Sequence, residues 1–156
     1  MGPSTMRGFS LIELITSIVI LAMLAALAGP RFVDTQPFNQ RGYIDELAAA
    51  LRYAEGVAVA SGCNVQVTVN LAGYTARQRA AAAGNTCALA GAYVTPVVRA
   101  DGSPLSGSPP SNANVAAGGT IVFGPSGAVV NAPPPAFAVG SFTLTVDPAS
   151  GFVAVQ

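Results

Sequence analysis

Residues 9–28 read FSLIELITSIVILAMLAALA, and the single ionisable side chain among them, Glu13, decides how the chain is understood. As a helix these residues rise about 30 Å, the thickness of a bilayer's hydrocarbon core. The stretch therefore predicts a membrane-spanning helix with a charge built into it. A carboxylate near the midplane of such a helix costs about 2.5–3.5 kcal/mol on insertion scales and is read as functional by default. Its natural partner is a positive charge from another chain of the same kind. Two plainer readings account for the length alone. One is an ordinary secretory signal peptide ending at Ala26-Leu27-Ala28; the other is a single-pass anchor whose Glu13 snorkels to the interface.

The residues just upstream narrow the choice. Gly8 leaves room for close backbone approach at the Gly8–Phe9 bond, and Arg7 holds the preceding segment on the cytoplasmic side. The string GFSLIEL, Gly8 to Leu14, resembles the class III signal of type IV pilins and pseudopilins, whose usual form is GFTLIEL, with Ser10 in place of Thr. That resemblance implies a membrane aspartyl peptidase cutting after Gly8, release of a leader from Met1 to Gly8, and N-methylation of Phe9. It further implies that Glu13 of one subunit neutralises the Phe9 ammonium of its neighbour during assembly, so that two costly charges become one satisfied pair. Met1 and Met6 would each start an adequate leader.

Composition agrees with a structural part. Charged residues are 9% of the chain, seven arginines balance seven acids with no lysine, and hydrophobic residues reach 51%. Such low charge suits a protein packed against copies or relatives, and no strong field exists to recruit nucleic acid. With no His and no Lys, the usual general base, amine nucleophile and metal ligand are missing. Gly118-Gly119 lacks the Lys and Ser/Thr of a phosphate-cradling loop. Asp101-Gly102 and Asp147-Pro148 read as turns, and a calcium site from Asp101 with Asn112 or Asn114 has no dense ligand spacing. No catalysis, cofactor or metal is expected.

Cys63 and Cys87 both lie beyond the apolar helix, and an even count in an exported domain favours a disulfide in an oxidising compartment. Two buried free thiols are the alternative.

Four segments follow along the chain: a leader over 1–8, an assembly helix over 9–29, a joint with an amphipathic helix over 30–61, and a β-rich head over 62–156. Gly29-Pro30 closes or kinks the first helix. Residues 31–39 read as an irregular or weakly helical joint broken again at Pro37, with Asn39 a candidate cap. From Gln40 to Ser61, Ile44, Leu47, Ala48, Leu51, Ala54 and Ala58 mark one helix face. Arg41, Asp45, Arg52 and Glu55 occupy the other side, with Arg52 and Glu55 read as a surface pair. Gly62 is the stop.

Beyond it the period becomes two. Val65 to Val69 and Tyr74 to Gln78 predict a hairpin, and Tyr93 to Arg99 an edge strand marked by Pro96. Ser103 to Gly119 reads as a surface loop. Thr120–Phe123 with Ala128–Val130, and Phe142–Val146 with Phe152–Val155, read as two further hairpins. The expected class is α+β, a long N-terminal helix packed on an antiparallel sheet.

This order deepens the resemblance. LRYAEGVAVASGCNVQV from Leu51, then IVFGPSG and FTLTVDPASGFVAV, is similar to minor pilins and pseudopilins of the GspH/FimT group. GPRFVD from Gly29 and RGYIDELAAALRYAEGVAVASGC from Arg41 are similar to minor pilins of the mannose-sensitive haemagglutinin type. The resemblance implies a pilin fold and a minor subunit of a type IV pilus, inserted in the inner membrane with its head in the periplasm and then polymerised. The implied partners are the prepilin peptidase/methyltransferase, other pilin subunits, the inner-membrane assembly platform and the lipid bilayer. A type II secretion pseudopilin and a DNA-binding FimT-like subunit are the rival functions. The latter would use Arg77, Arg79 and Arg99. Three arginines make a weak field and no basic residue follows Gly102, so they are read as solvated or interface-paired and nucleic acid is not an expected partner.

Overall fold

The computed structural model describes residues 9–28, 35–80, 87–88, 90–131 and 133–156, and the chain divides into two compact units, Met1–Thr35 and Gln36–Gln156. In the first, α1 spans Leu11–Ala28. It opens where the Ser10 carbonyl accepts the Glu13 and Leu14 N–H groups at 3.0 and 3.1 Å. Glu13 thus lies in the first turn, where the helix dipole favours an anion. Eighteen residues rise about 27 Å, and among the described residues no helix is long and apolar enough to cross a membrane. The leader and the kink expected at Gly29-Pro30 lie outside the described residues.

In the second unit α2 spans Gln36–Ser61, starting four residues before the expected Gln40. Pro37 falls in its first turn, where a missing N–H removes no helical bond. The proposed joint is correspondingly shorter, and Asn39 lies inside the helix instead of capping it, its amide donating to Asn112 Oδ1 at 2.8 Å. The predicted apolar face is buried throughout, from Ile44 to Ala58. Gly62, with φ of +67°, takes the left-handed turn that ends the helix. The expected Arg52–Glu55 pair does not form. The Val153 carbonyl lies within reach, and Arg52 Nη2 donates to it at 3.0 Å; the ion pair among the described residues is Arg41–Asp45 at 2.9 Å.

Nine short strands follow: β1 (Val65–Asn70), β2 (Gly73–Arg79), β3 (Tyr93–Pro96), β4 (Ser106–Gly107), β5 (Val115–Ala117), β6 (Gly119–Phe123), β7 (Phe137–Val139), β8 (Phe142–Val146) and β9 (Val153–Val155). They form two antiparallel sheets where one was expected. The first runs β3-β2-β1-β6, with β4 also on β2; the second runs β5-β7-β8-β9. A helix of 26 residues is about 39 Å long, more than one short-stranded sheet covers, and α2 contacts β1 and β6 of one sheet and β7, β8 and β9 of the other. Val65, Val67 and Val69 of β1 point into this shared core, as their alternation predicts. The β1–β2 hairpin closes at Asn70↔Gly73, where Gly73 has φ of +134° and its hydrogen packs on the Gly107 backbone.

The segment read as a surface loop, Ser103 to Gly119, is instead the crossing between sheets. It contains β4 and β5, begins β6, and buries Leu105, Ala113 and Val115. Its Ser, Pro and Gly content concealed three apolar anchors. β3 stops at Pro96, short of the expected Arg99, because the chain folds back into a small hairpin bridged at Val98↔Pro104. β3 is outermost in its sheet, as Pro96 required. Ala128–Val130 returns on β6 through the bridge Phe123↔Val129. Asn131 then closes the edge of β6: its Oδ1 accepts the Val122 N–H at 2.6 Å and its Nδ2 donates to the Thr120 carbonyl at 2.7 Å. The last predicted hairpin is β8–β9.

Candidate functional site

The first candidate site is the start of α1. Phe9 is 77% exposed, and the Glu13 carbonyl accepts the hydroxyls of Thr16 at 3.0 Å and Ser17 at 2.7 Å. These two polar side chains satisfy themselves on the backbone and leave the helix surface apolar. Leu11, Ile12, Ile18, Ile20, Leu21 and Met23 are all more than half exposed. A helix apolar all round is one that is covered in service. The Glu13 carboxylate has no partner among the described residues, and Gly8 lies outside them.

The second is the cysteine pair. Cys63 and Cys87 are joined, with Cα atoms 5.4 Å apart, so the free-thiol alternative falls. The bond fastens the chain after α2 to the approach to β3. Nearby, Arg79 stacks on Tyr93 at 4.8 Å and donates to the Gly91 carbonyl at 3.1 Å.

The three arginines of the DNA reading do not converge. Arg77 and Arg79 alternate along β2 with Ala76, which is buried, and Gln78, whose amide reaches Ser61 on α2. They therefore stand on the sheet face away from the helix. Arg99 sits on the helix side, donating to the carbonyls of Pro104 at 2.8 Å and Ser106 at 3.1 Å and to the Tyr74 hydroxyl at 3.3 Å. Arg77 also donates to a backbone carbonyl, that of Val94, at 3.3 Å.

One cluster escaped the sequence reading. The Tyr74 hydroxyl donates to Glu46 Oε1 at 2.7 Å and accepts from Arg99. Burial, then the bond to Glu46, push its pKa well above the ordinary value. The usable signal was the stripe Glu46, Ala49, Ala50, Tyr53 on α2, whose spacing of three, four and seven puts small residues between an acid and an aromatic. Asp101 and Asp147 form turns, as expected. Asp101 accepts the Ser103 hydroxyl at 2.6 Å and Asp147 the Ser150 hydroxyl at 2.7 Å, and both pKa values are lowered by those bonds first. No group of three or more metal-ligating side chains occurs among the described residues.

Comparison with known proteins gives a family match within each of the two units. The family described as Type II transport protein GspH matches residues 44–156, and the Prokaryotic N-terminal methylation motif matches residues 4–29. A relative, the Type IV narrow pilus major component PilA5 of Thermus thermophilus, is 46% identical over 52 residues. That alignment covers 33% of this chain and 45% of the relative. No solved structure matches significantly. The match from Ile44 to Gln156 takes in most of α2 and every strand of both sheets, and the chain belongs to the GspH family of pilin-like proteins.

Proposed function

We propose that this chain is a minor pilin of a type IV pilus, processed between Gly8 and Phe9 and polymerised through its N-terminal helix. The observation that carries the reading is the methylation motif over residues 4–29 coinciding with an α1 whose apolar side chains are exposed around Glu13. Before assembly, α1 with its flanking residues sits in the inner membrane and the head stands in the periplasm. An exported disulfide supports that side. On assembly, Glu13 meets the amino terminus of a neighbour. The work is architectural and needs no catalytic group. The finer kinship with mannose-sensitive haemagglutinin-type subunits belongs to the same proposal.

Mass spectrometry of the protein purified from cells tests it. The mature chain begins at Phe9 and carries one methyl group on its amine; a chain beginning elsewhere overturns the reading. A second reading, a type II secretion pseudopilin, is favoured by the family's own description. Deletion of the gene separates the two: loss of surface filaments supports the pilus, and loss of exoprotein secretion with filaments intact supports the pseudopilus.

A further inference from the structure

The first turn of α2 meets two hairpin turns at one pole of the head. Tyr74, early in β2, bonds Glu46 near the start of α2, and Gln78, late in β2, bonds Ser61 at its end. β2 therefore runs the same way as α2, which places the β1–β2 turn, with Leu71, at the helix's N-terminal end. The β7–β8 turn joins it there, because the Gln40 side chain packs directly on Gly140 and the Arg41 guanidinium lies 5.3 Å from the Phe142 ring. Residues 108–112 link the two, with Ser108 against Gly73 and Asn112 bonded to Asn39. This pole carries the two most exposed large apolar side chains among the described residues of the head, Phe38 at 79% and Leu71 at 76%. Its charges cancel: Arg41 pairs with Asp45, and Glu46 faces Arg99 across the Tyr74 hydroxyl. The opposite pole, where Gly127 and Gly151 lie against Glu55, has an exposed ring of its own in Phe152.

We propose that this pole docks on the periplasmic surface of the bilayer that holds α1, with Phe38 and Leu71 seated among the lipid headgroups before assembly. The proposal rests on the membrane placement argued above. Chain connectivity is what favours lipid as the occupant. Seven residues, 29–35, separate Ala28 at the end of α1 from Gln36 at the start of α2, and seven residues reach at most about 25 Å. A helix rooted in the bilayer therefore keeps this pole beside the membrane surface. The far pole, about 39 Å further along α2, is not so held. Aromatic and aliphatic side chains gain by leaving water at such an interface. With the local charges cancelled, the attraction is apolar and does not call for anionic lipid. Docking holds the head in one orientation while the subunit awaits incorporation.

The test uses the full chain in phosphatidylcholine nanodiscs, with NMR relaxation read at each backbone amide. The probes are phosphatidylcholines carrying a nitroxide on the headgroup or midway along the acyl chain. The acyl label broadens α1 at Ile20 and Leu21, which reports insertion. The headgroup label broadens Phe38, Leu71 and Ser141 and spares Gly127 and Phe152. Tethering alone would also bring the pole near the surface, so Phe38→Ser combined with Leu71→Ser decides between the two. Both side chains are exposed, so the head spectrum elsewhere stays unchanged, and the docking equilibrium measured at Ser141 falls at least about tenfold. Phe152→Ser, the matched change at the far pole, leaves it intact. Exchanging part of the lipid for phosphatidylglycerol changes neither pattern. Equal broadening of the two poles, an unchanged effect in the double variant, or an effect seen only with phosphatidylglycerol overturns the docking. Shifts at Phe38 and Leu71 that grow with the number of chains per disc, without broadening by the headgroup label, assign the pole to a second copy and overturn it too. If the acyl label leaves α1 untouched, the membrane placement falls together with the docking; if α1 is inserted and Phe38 and Leu71 stay sharp, the docking alone falls.

Discussion

The rings of Tyr43 and Tyr74 lie 6.5 Å apart, tilted by 39°, and both residues are 2% exposed, yet only one of the two hydroxyls is satisfied. Tyr74 is bonded between Glu46 and Arg99; the Tyr43 hydroxyl has no partner among the described residues. Burial, and secondarily the Glu46 charge, push the Tyr43 phenol up to about 12. An unmade buried bond costs about 1–3 kcal/mol, whereas a made one contributes about 1 kcal/mol net. Two neighbouring Tyr→Phe changes should therefore move stability in opposite directions. Tyr43→Phe raises it by about 1 kcal/mol, and Tyr74→Phe, which removes the bond to Glu46 and one of the several acceptors of Arg99, lowers it by about 1 kcal/mol. Denaturant midpoints measure both, and a loss of stability in Tyr43→Phe would show that its hydroxyl is bonded in solution.

The disulfide spans a sequence separation of 24. A loop of that size confines the unfolded chain by about 3.5 kcal/mol in the chain-entropy account. Replacing Cys63 and Cys87 together by serine should lower unfolding free energy by roughly that amount. Reductant should lower the wild type equally and leave the double variant unmoved, which separates the bridge from the packing of the sulfurs.

Acid should act partly through Asp147. Its carboxylate accepts the Ser150 hydroxyl, the Ser150 N–H at 2.8 Å and the Ala149 N–H at 3.1 Å, which hold its pKa below the ordinary 3.8. The folded state thus binds this proton less readily than the unfolded chain. The turn's contribution is complete above 3.8 and is lost as pH falls through the lowered value. Asp147→Asn keeps an acceptor without the charge and should flatten that part of the acid limb in thermal melts across about pH 2–6. An unchanged limb would locate acid sensitivity elsewhere.

At the other end of the chain, Glu13→Gln keeps hydrogen-bonding capacity and removes charge. Membrane fractionation should find the variant inserted as before. Leaving a neighbour's amine unpaired costs about 3–5 kcal/mol, enough to cut incorporation into sheared filaments to below roughly a tenth. Normal incorporation would count against the pairing with the Phe9 amine.

The legible parts were those whose cause lies within a few residues. The face of α2 from Ile44 to Ala58, the alternation of Val65, Val67 and Val69, the stop at Gly62 and the turns at Asp101 and Asp147 all follow from local periodicity or local bonding. Pro37 misled because proline is tolerated in a helix's first turn and forbidden in its interior, and only the helix start says which applies.

From the linear chain alone came the class, the two helices, the pairing tendency of the cysteines and the oddity of Glu13, since each depends on residue chemistry or on spacing along one element. Tertiary structure decided the rest: that α2 serves two sheets, that Leu105, Ala113 and Val115 anchor a crossing disguised as a loop, that Arg99 parts company with Arg77 and Arg79, and that Glu46, Tyr74 and Arg99 meet. Such meetings join residues 28 and 25 positions apart. No local propensity encodes them; they exist only once burial of a shared core has brought distant segments face to face.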